Sequence, residues 1–210
     1  MRVFVAGAAG VIGRSLVPML VEAGHEVTGG TRSEARADDI RAMGAEPVVG
    51  DVFDADEVKR AVAAARPEVL INQLTDLPSA IDPKGGPDQF AGTNRLRREA
   101  SRILMDAAAE AGARRVVAQS IAFVYRLTGE GLKTEEDELF LEAPPPSGEV
   151  VGAVADLERT VTGDERLEGL VLRYGYFYGP DTAYSSDGSM AALARRRRLA
   201  VVGAGSGVFS

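Results

Sequence analysis

Three hydroxyl side chains, Ser120, Tyr125 and Tyr176, follow stretches of the sequence that read as strands, and they are the groups best suited to exchange a proton. A positioned phenol can give or take a proton while a hydride moves between two carbons, provided a neighbouring charge tunes its pKa. Other chemistries are closed off. The chain has no cysteine, which removes thiol catalysis, disulfides and thiolate metal sites. Its single histidine, His25, cannot build a histidine metal cluster and stands in a turn where a Ser-His-Asp triad is not expected. No metal site is expected. Each tyrosine can also serve as an aromatic plug over the core, and Ser120 can bond its own backbone.

A second group of residues could hold a phosphate. In VFVAGAAGVIGRSLV, Gly7, Gly10 and Gly13 recur at every third position. The first glycine permits a tight turn, the second lets backbone approach a pyrophosphate, and the third lets helix and strand pack closely. Ala9, Val11 and Ile12 lie between them, where backbone N–H groups at a helix start face the anion. This spacing predicts a dinucleotide. Further on, Gly29-Gly30-Thr31-Arg32-Ser33 carries no acid to hold a ribose hydroxyl. Arg32 can instead clamp a 2′-phosphate beside Thr31, with Arg36 assisting, so NADP is favoured over NAD. The alternative for Arg32 is a solvated residue at a helix entry.

Such a loop works only between a strand and a helix, and the sequence supplies both. Val3 to Ala6 is a continuous apolar run, as in a buried parallel strand, and apolar residues from Val11 to Val21 recur at helical spacing up to Gly24. Pro18 predicts a local kink there. The alternation continues with strands at Glu26–Thr28, Glu46–Val49, Glu68–Asn72, Arg115–Ala118 and Leu170–Arg173. Helices are expected from Ser33, as N-cap, to Met43, over Asp54–Ala64, over Asp88–Ala111 and over Glu149–Thr162. This rhythm predicts an α/β fold, a doubly wound parallel sheet of Rossmann type. Two long irregular stretches, LTDLPSAIDPKGGPDQF and the segment from Ser120 to Ser147, follow strand ends, where open α/β sheets bind ligands. Asp51 also follows a strand end and can accept from an exocyclic amine or cap a helix, Asp54 being the better cap.

At 210 residues and a formal net charge of −7 the chain is sized for one domain and lacks the basic footprint of a nucleic-acid binder. Arg195 to Arg198 therefore read as a helix end or a contact to a substrate anion, and the acidic run Glu135 to Glu138 as a solvated loop. No stretch has the length of a membrane span, and a cytoplasmic protein with a small-molecule substrate is expected.

With these motifs the sequence resembles the short-chain dehydrogenase/reductase superfamily, in its extended or atypical branch, like the NAD-dependent epimerases and dehydratases. The resemblance covers nearly the whole chain. GDVFD is similar to the family's acidic step, which implies that Asp51 meets the adenine edge with Val52 beside the ring. INQLT resembles the end of the fourth strand and implies that Gln73, Leu74 and Thr75 line the cofactor. RRVVAQSIAFVY resembles the strand that ends in the catalytic serine, and LRYGYFYGP the strand whose following residues, from Tyr174, pass the nicotinamide. Ser120 would then bond the cofactor on its nicotinamide side.

The family's reaction uses a tyrosine, a lysine four residues later and a serine. Here the resemblance sets Val150 and Val154 at the first two positions and Ile121, one past Ser120, at the third. What it implies is hydride transfer to a small carbonyl or alcohol with Tyr125 or Tyr176 as substitute donor near Ser120. Two other readings stand beside it: an NADP(H) sensor or scaffold without turnover, and a non-redox dehydratase or isomerase. Past the apolar pair Val201–Val202 the sequence lacks a later family segment, so one NAD(P)-binding domain over 1–210 is expected, with an incomplete substrate lobe from about 175 and a homodimer to cover apolar surface.

Overall fold

The computed structural model describes residues 1–78, 86–126, 128, 132–180 and 182–198. The pair Val201–Val202, residues 79–85 of the first long loop and the last part of the expected lobe lie outside the described residues. The chain divides into two compact units, Met1–Leu172 and a second that begins at Arg173.

The strands are β1 (Arg2–Ala6), β2 (Glu26–Thr31), β3 (Glu46–Val49), β4 (Val69–Asn72), β5 (Arg115–Ile121) and β6 (Glu168–Tyr174). They lie in one sheet in the order β3-β2-β1-β4-β5-β6. The pairs β1–β2, β1–β4, β2–β3 and β4–β5 are parallel. This is the doubly wound order, with its switch point between β1 and β4. Residues Val3 to Ala6 and all of β4 are buried, as a strand covered on both faces must be.

Alternation along β1 divides the core. Val3 and Val5 pack with Val17 and Ile40 on one face; Phe4 and Ala6 pack with Val62, Leu70, Leu104 and Leu157 on the other. A fully buried leucine such as Leu70 contributes roughly 1.5–3 kcal/mol. The first face carries α1 (Val11–Glu22) and α2 (Ala37–Ala42), the second α3 (Ala55–Ala65), α5 (Ser101–Glu110) and α6 (Ser147–Thr162).

α1 keeps its expected course: it continues through Pro18 and closes on Gly24, whose φ of +80 lets its N–H reach the Val21 carbonyl at 2.9 Å. Several other expected boundaries shift for identifiable reasons. Ser33 precedes a 3-10 turn (Glu34–Arg36) instead of α2, and its hydroxyl makes no cap; the Ser33 N–H donates to Thr31 Oγ1 at 3.2 Å. The long helix expected over Asp88–Ala111 is segmented. A 3-10 turn (Pro87–Phe90) leads into α4 (Ala91–Arg95), then a π-helical segment (Leu96–Ala100), then α5. The π segment buries Leu96 and Arg97 together, and the Ser101 hydroxyl donates to the Leu96 carbonyl at 3.4 Å. No breaker residue marks it in the sequence. After β5 the expected irregular stretch holds a short 3-10 turn (Ala122–Val124) and an antiparallel bridge between Tyr125 and Leu139. In the second unit α7 (Ser189–Arg195) ends at the arginine run. Among the described residues no helix is long and apolar enough to cross a membrane.

Candidate functional site

A cleft of about 760 Å³ opens beyond the C-terminal ends of β1, β2, β3 and β4, within the first unit. Its volume is that of a cofactor-sized ligand. Gly7, Ala9 and Gly10 form its floor. The loop is tied to β2, where the Gly7 and Ala8 N–H groups donate to the Gly30 carbonyl at 3.2 and 3.3 Å. Gly7 has φ +86, and a Cβ there would stand 2.9 Å from the Gln73 carbonyl oxygen. At Gly13 a Cβ would collide with the Gly7 and Ala8 carbonyl oxygens, so only glycine lets α1 pack onto the loop. α1 starts at Gly10 with no side-chain cap and no acidic residue in its first turn. Its leading amides, at Val11, Ile12 and Gly13, keep their capacity to bind an anion. Nothing fills this cradle from within the described chain, and a pyrophosphate fits its chemistry.

The end of β2 supplies cations. Thr31, Arg32, Ser33 and Arg36 line the cleft. Arg36 donates to the Ala9 carbonyl at 3.1 Å, fastening itself to the loop. Arg32 is 81% exposed and lies 3.4 Å from Asp76. After β3, Gly50 to Phe53 form one wall. Asp51 accepts from the Phe53 N–H at 3.0 Å, while Asp54, not Asp51, caps α3 by accepting from the Glu57 N–H at 2.9 Å. The Phe53 ring carries the Arg95 guanidinium 3.7 Å from its centroid. After β4, Gln73, Leu74, Thr75 and Asp76 complete the lining.

Ten sequence-predicted residues therefore meet in one cleft: Gly7, Ala9, Gly10, Thr31, Arg32, Asp51, Val52, Gln73, Leu74 and Thr75. Val11 and Ile12 stand at its helical edge and Gly13 is buried behind it. Phe53 and Asp76 also line it and were not singled out from sequence. The signal for Asp76 was present, an acidic residue just after INQLT; that for Phe53 was its place in GDVFD.

The end of β5 is built differently. Val116, Ala118 and Ser120 alternate onto the buried face, so Ser120 is 2% exposed and donates to Glu158 of α6 at 2.7 Å. Ser120 lines a small cavity with Asn72, Arg97, Gln119 and Leu157, not the nucleotide cleft. Ile121 packs against a cluster of Val124, Val151 and Val154. Two of the positions at which the family resemblance expects serine and lysine thus meet as aliphatic side chains. Arg97, in the π segment, is a buried cation bonded to Asn94 at 3.2 Å, and burial pushes its pKa down to about 10. Tyr125 is half-buried in its bridge to Leu139. Tyr174 and Tyr176 belong to the second unit, where Tyr174 meets Phe177 edge-on at 5.3 Å and the half-exposed Tyr176 meets Tyr184 at 5.3 Å.

Known proteins match this arrangement. The sequence profile of a family described as NAD(P)H-binding matches residues 7–144. A Streptomyces 3-diazoavenalumate denitrifying reductase is 46% identical over all of this chain, which spans 67% of that protein. The solved Bordetella bronchiseptica enzyme WbmG, in complex with NAD and UDP, superposes with a TM-score of 0.72 at 19% identity, over 95% of this chain and 61% of that one. A Thermotoga maritima UDP-glucose 4-epimerase with UDP-glucose superposes with a TM-score of 0.67 at 23% identity, over 93% and 62%. This chain thus spans about three fifths of those two enzymes. Cradle, strand order and sequence match agree, and the chain belongs to the NAD(P)H-binding family.

Proposed function

We propose that the chain is an NADPH-dependent reductase of a small electron-poor acceptor that works without a Tyr–Lys proton relay. One observation carries the reading: a complete nucleotide cradle shares a sheet edge with an aliphatic cluster, Ile121, Val151 and Val154, where a relay is expected. In this reading the amides of Val11, Ile12 and Gly13 bind the pyrophosphate, and Asp51, Val52 and Phe53 face the adenine. Arg32 and Arg36 hold the 2′-phosphate beside Thr31, as guanidinium forks suit phosphate oxygens. Gln73, Leu74 and Thr75 guide the dinucleotide past the end of β4.

The 46% identical relative is named a denitrifying reductase of a diazo compound, and a related acceptor suits the relay-free site. Bound in the cleft, NADPH would supply a hydride, and an aryl diazonium that accepts it leaves as an arene and dinitrogen with no proton needed for balance. A carbonyl acceptor would need a proton as well, and Tyr125, in the same unit as the cleft, is the group proposed to give it. Ser120, committed to Glu158, positions the end of β5 in this scheme and is not the donor.

The test is turnover under argon with NADPH deuterated at C4 and a benzenediazonium carboxylate, with an aldehyde in parallel. Deuterium in the arene and release of dinitrogen above the enzyme-free rate are expected. Tight NADPH binding with neither acceptor consumed overturns the reductase reading. It would favour the cofactor-binding sensor that the buried Ser120 and Val154 also suit.

A further inference from the structure

Arg32 does not face the cleft alone. Its guanidinium lies 3.4 Å from Asp76 Oδ1, and both residues line the mouth of the nucleotide cleft from opposite sides of β1. Arg32 is a long, 81% exposed side chain, free to reorient. Asp76 is held more firmly. Its N–H donates to the hydroxyl of the fully buried Thr93 at 2.9 Å, and its carboxylate occupies space that a Cβ on Gly92 would fill. The fold therefore fixes a carboxylate beside the cation that would receive a 2′-phosphate.

We infer that Asp76 is a specificity-determining residue that sets the balance between NADPH and NADH by opposing Arg32. This rests on the reading of Arg32 as the 2′-phosphate clamp. An exposed ion pair stabilises the protein little, so a phosphate can displace Asp76 from Arg32. The displaced carboxylate remains beside the bound phosphate because the Thr93 hydroxyl holds the Asp76 N–H and Gly92 leaves space for the carboxylate there. Two negative groups at that separation repel, and the repulsion falls on NADPH alone, since NADH carries a neutral hydroxyl there. Arg32 thus favours the phosphorylated cofactor and Asp76 limits the advantage. Of the other charged groups lining the cleft, Arg36 is fastened to the Ala9 carbonyl, Glu57 accepts from the Asp51 N–H, Asp51 accepts from the Phe53 N–H and Arg60 is a cation, and Asp76 is the carboxylate paired with Arg32.

Equilibrium titrations of NADPH and NADH, followed by nicotinamide fluorescence, test this on the wild-type chain, Asp76→Asn and Arg32→Gln. Asp76→Asn is expected to tighten NADPH about tenfold at low salt and to leave NADH within about twofold, the gain shrinking as salt screens the repulsion. Arg32→Gln is expected to weaken NADPH by about tenfold or more. If Arg32→Gln leaves NADPH unchanged, the reading of Arg32 falls and the inference with it. If Arg32→Gln weakens NADPH while Asp76→Asn leaves the NADPH to NADH ratio as it was, the clamp stands and the opposing role of Asp76 is overturned.

Discussion

The ends of β1 and β2 and the end of β5 lie along one sheet edge, yet they are made from opposite materials. The first is built from missing side chains. Gly7, Gly10 and Gly13 make room for a tight turn that leaves the amides of Val11, Ile12 and Gly13 at the start of α1, beside an open cleft lined by polar groups. The second is built from side chains that satisfy one another. Ser120 is bound to Glu158, Arg97 to Asn94, and Ile121 packs on Val124, Val151 and Val154. A region that must receive a large anion needs donors without partners of their own. A region closed by internal partners has few groups left to offer a substrate. The contrast separates holding a cofactor from supplying acid-base chemistry.

The sharpest way to break the contrast is at Gly13. Gly13→Val sets a branched side chain against the Gly7 and Ala8 carbonyl oxygens, and the collision is with backbone, which cannot give way cheaply. NADPH binding should be lost, and stability should fall by about 3 kcal/mol or more, as in severe overpacking. Isothermal titration and thermal unfolding read the two effects. A Gly13→Val protein that binds NADPH as the wild type does would show that the cradle is not the anion site.

The second substitution restores what the β5 side lacks. Val154 is 1% exposed, whereas Val150 on the same helix is half-buried. Val154→Lys puts an ammonium among aliphatic groups, at a cost of several kcal/mol or a lowered lysine pKa. Val150→Tyr should cost less than about 1 kcal/mol, because the ring can lie toward solvent. Thermal melts of the two variants compare the positions directly. Equal losses would mean that the aliphatic cluster is not the closed plug described here.

This difference also decides what could be read from the sequence. The cradle was legible because glycine spacing reports backbone geometry, which is local: a strand, a turn and a helix within the first 24 residues fix it. The doubly wound parallel sheet followed from the alternation of elements, whereas its order, β3-β2-β1-β4-β5-β6, is set by pairings between distant strands. The direction of Ser120 was not legible. It depends on the two-residue alternation of β5 and on Glu158, which lies 38 residues further on. Nor was the π segment, because Arg97 carries no local signal for burial and its placement comes from packing against α6. Asp76 fell between the two cases. Its residue type was visible, but its pairing with Arg32 spans 44 residues.

Arg97 gives a smaller test of the closed side. Burial holds its pKa down at about 10, and among the described residues no carboxylate offsets the desolvation of this cation. Arg97→Met keeps the volume and removes the charge, and it should leave stability unchanged or raise it by about 1 kcal/mol. Arg97→Ala leaves a void beside Leu157 and should lower it by about 2 kcal/mol. If Met is as damaging as Ala, the guanidinium is needed for structure. If Met is harmless to folding and to NADPH affinity but slows turnover, the charge serves the reaction.

The smallest effect concerns how α6 is fastened to the π segment. Arg98 donates to Asp156 at 2.9 Å, and this bond, with the charges of Arg98, Arg159 and Arg102, holds the Asp156 carboxyl below its ordinary value. The folded pKa is depressed, so the unfolded chain binds the proton first as pH falls. The pair's contribution is therefore whole above about pH 4, the ordinary carboxylate value, and is lost as the pH drops through the lower folded value. Asp156→Asn removes that acid limb while keeping the shape. Melting temperatures of wild type and Asp156→Asn should differ at neutral pH and converge toward pH ~2–3. Two curves that stay parallel through the acid range would show that the Arg98–Asp156 contact adds nothing to the hold on α6, and that the Ser120–Glu158 bond and the aliphatic cluster keep the β5 side closed without it.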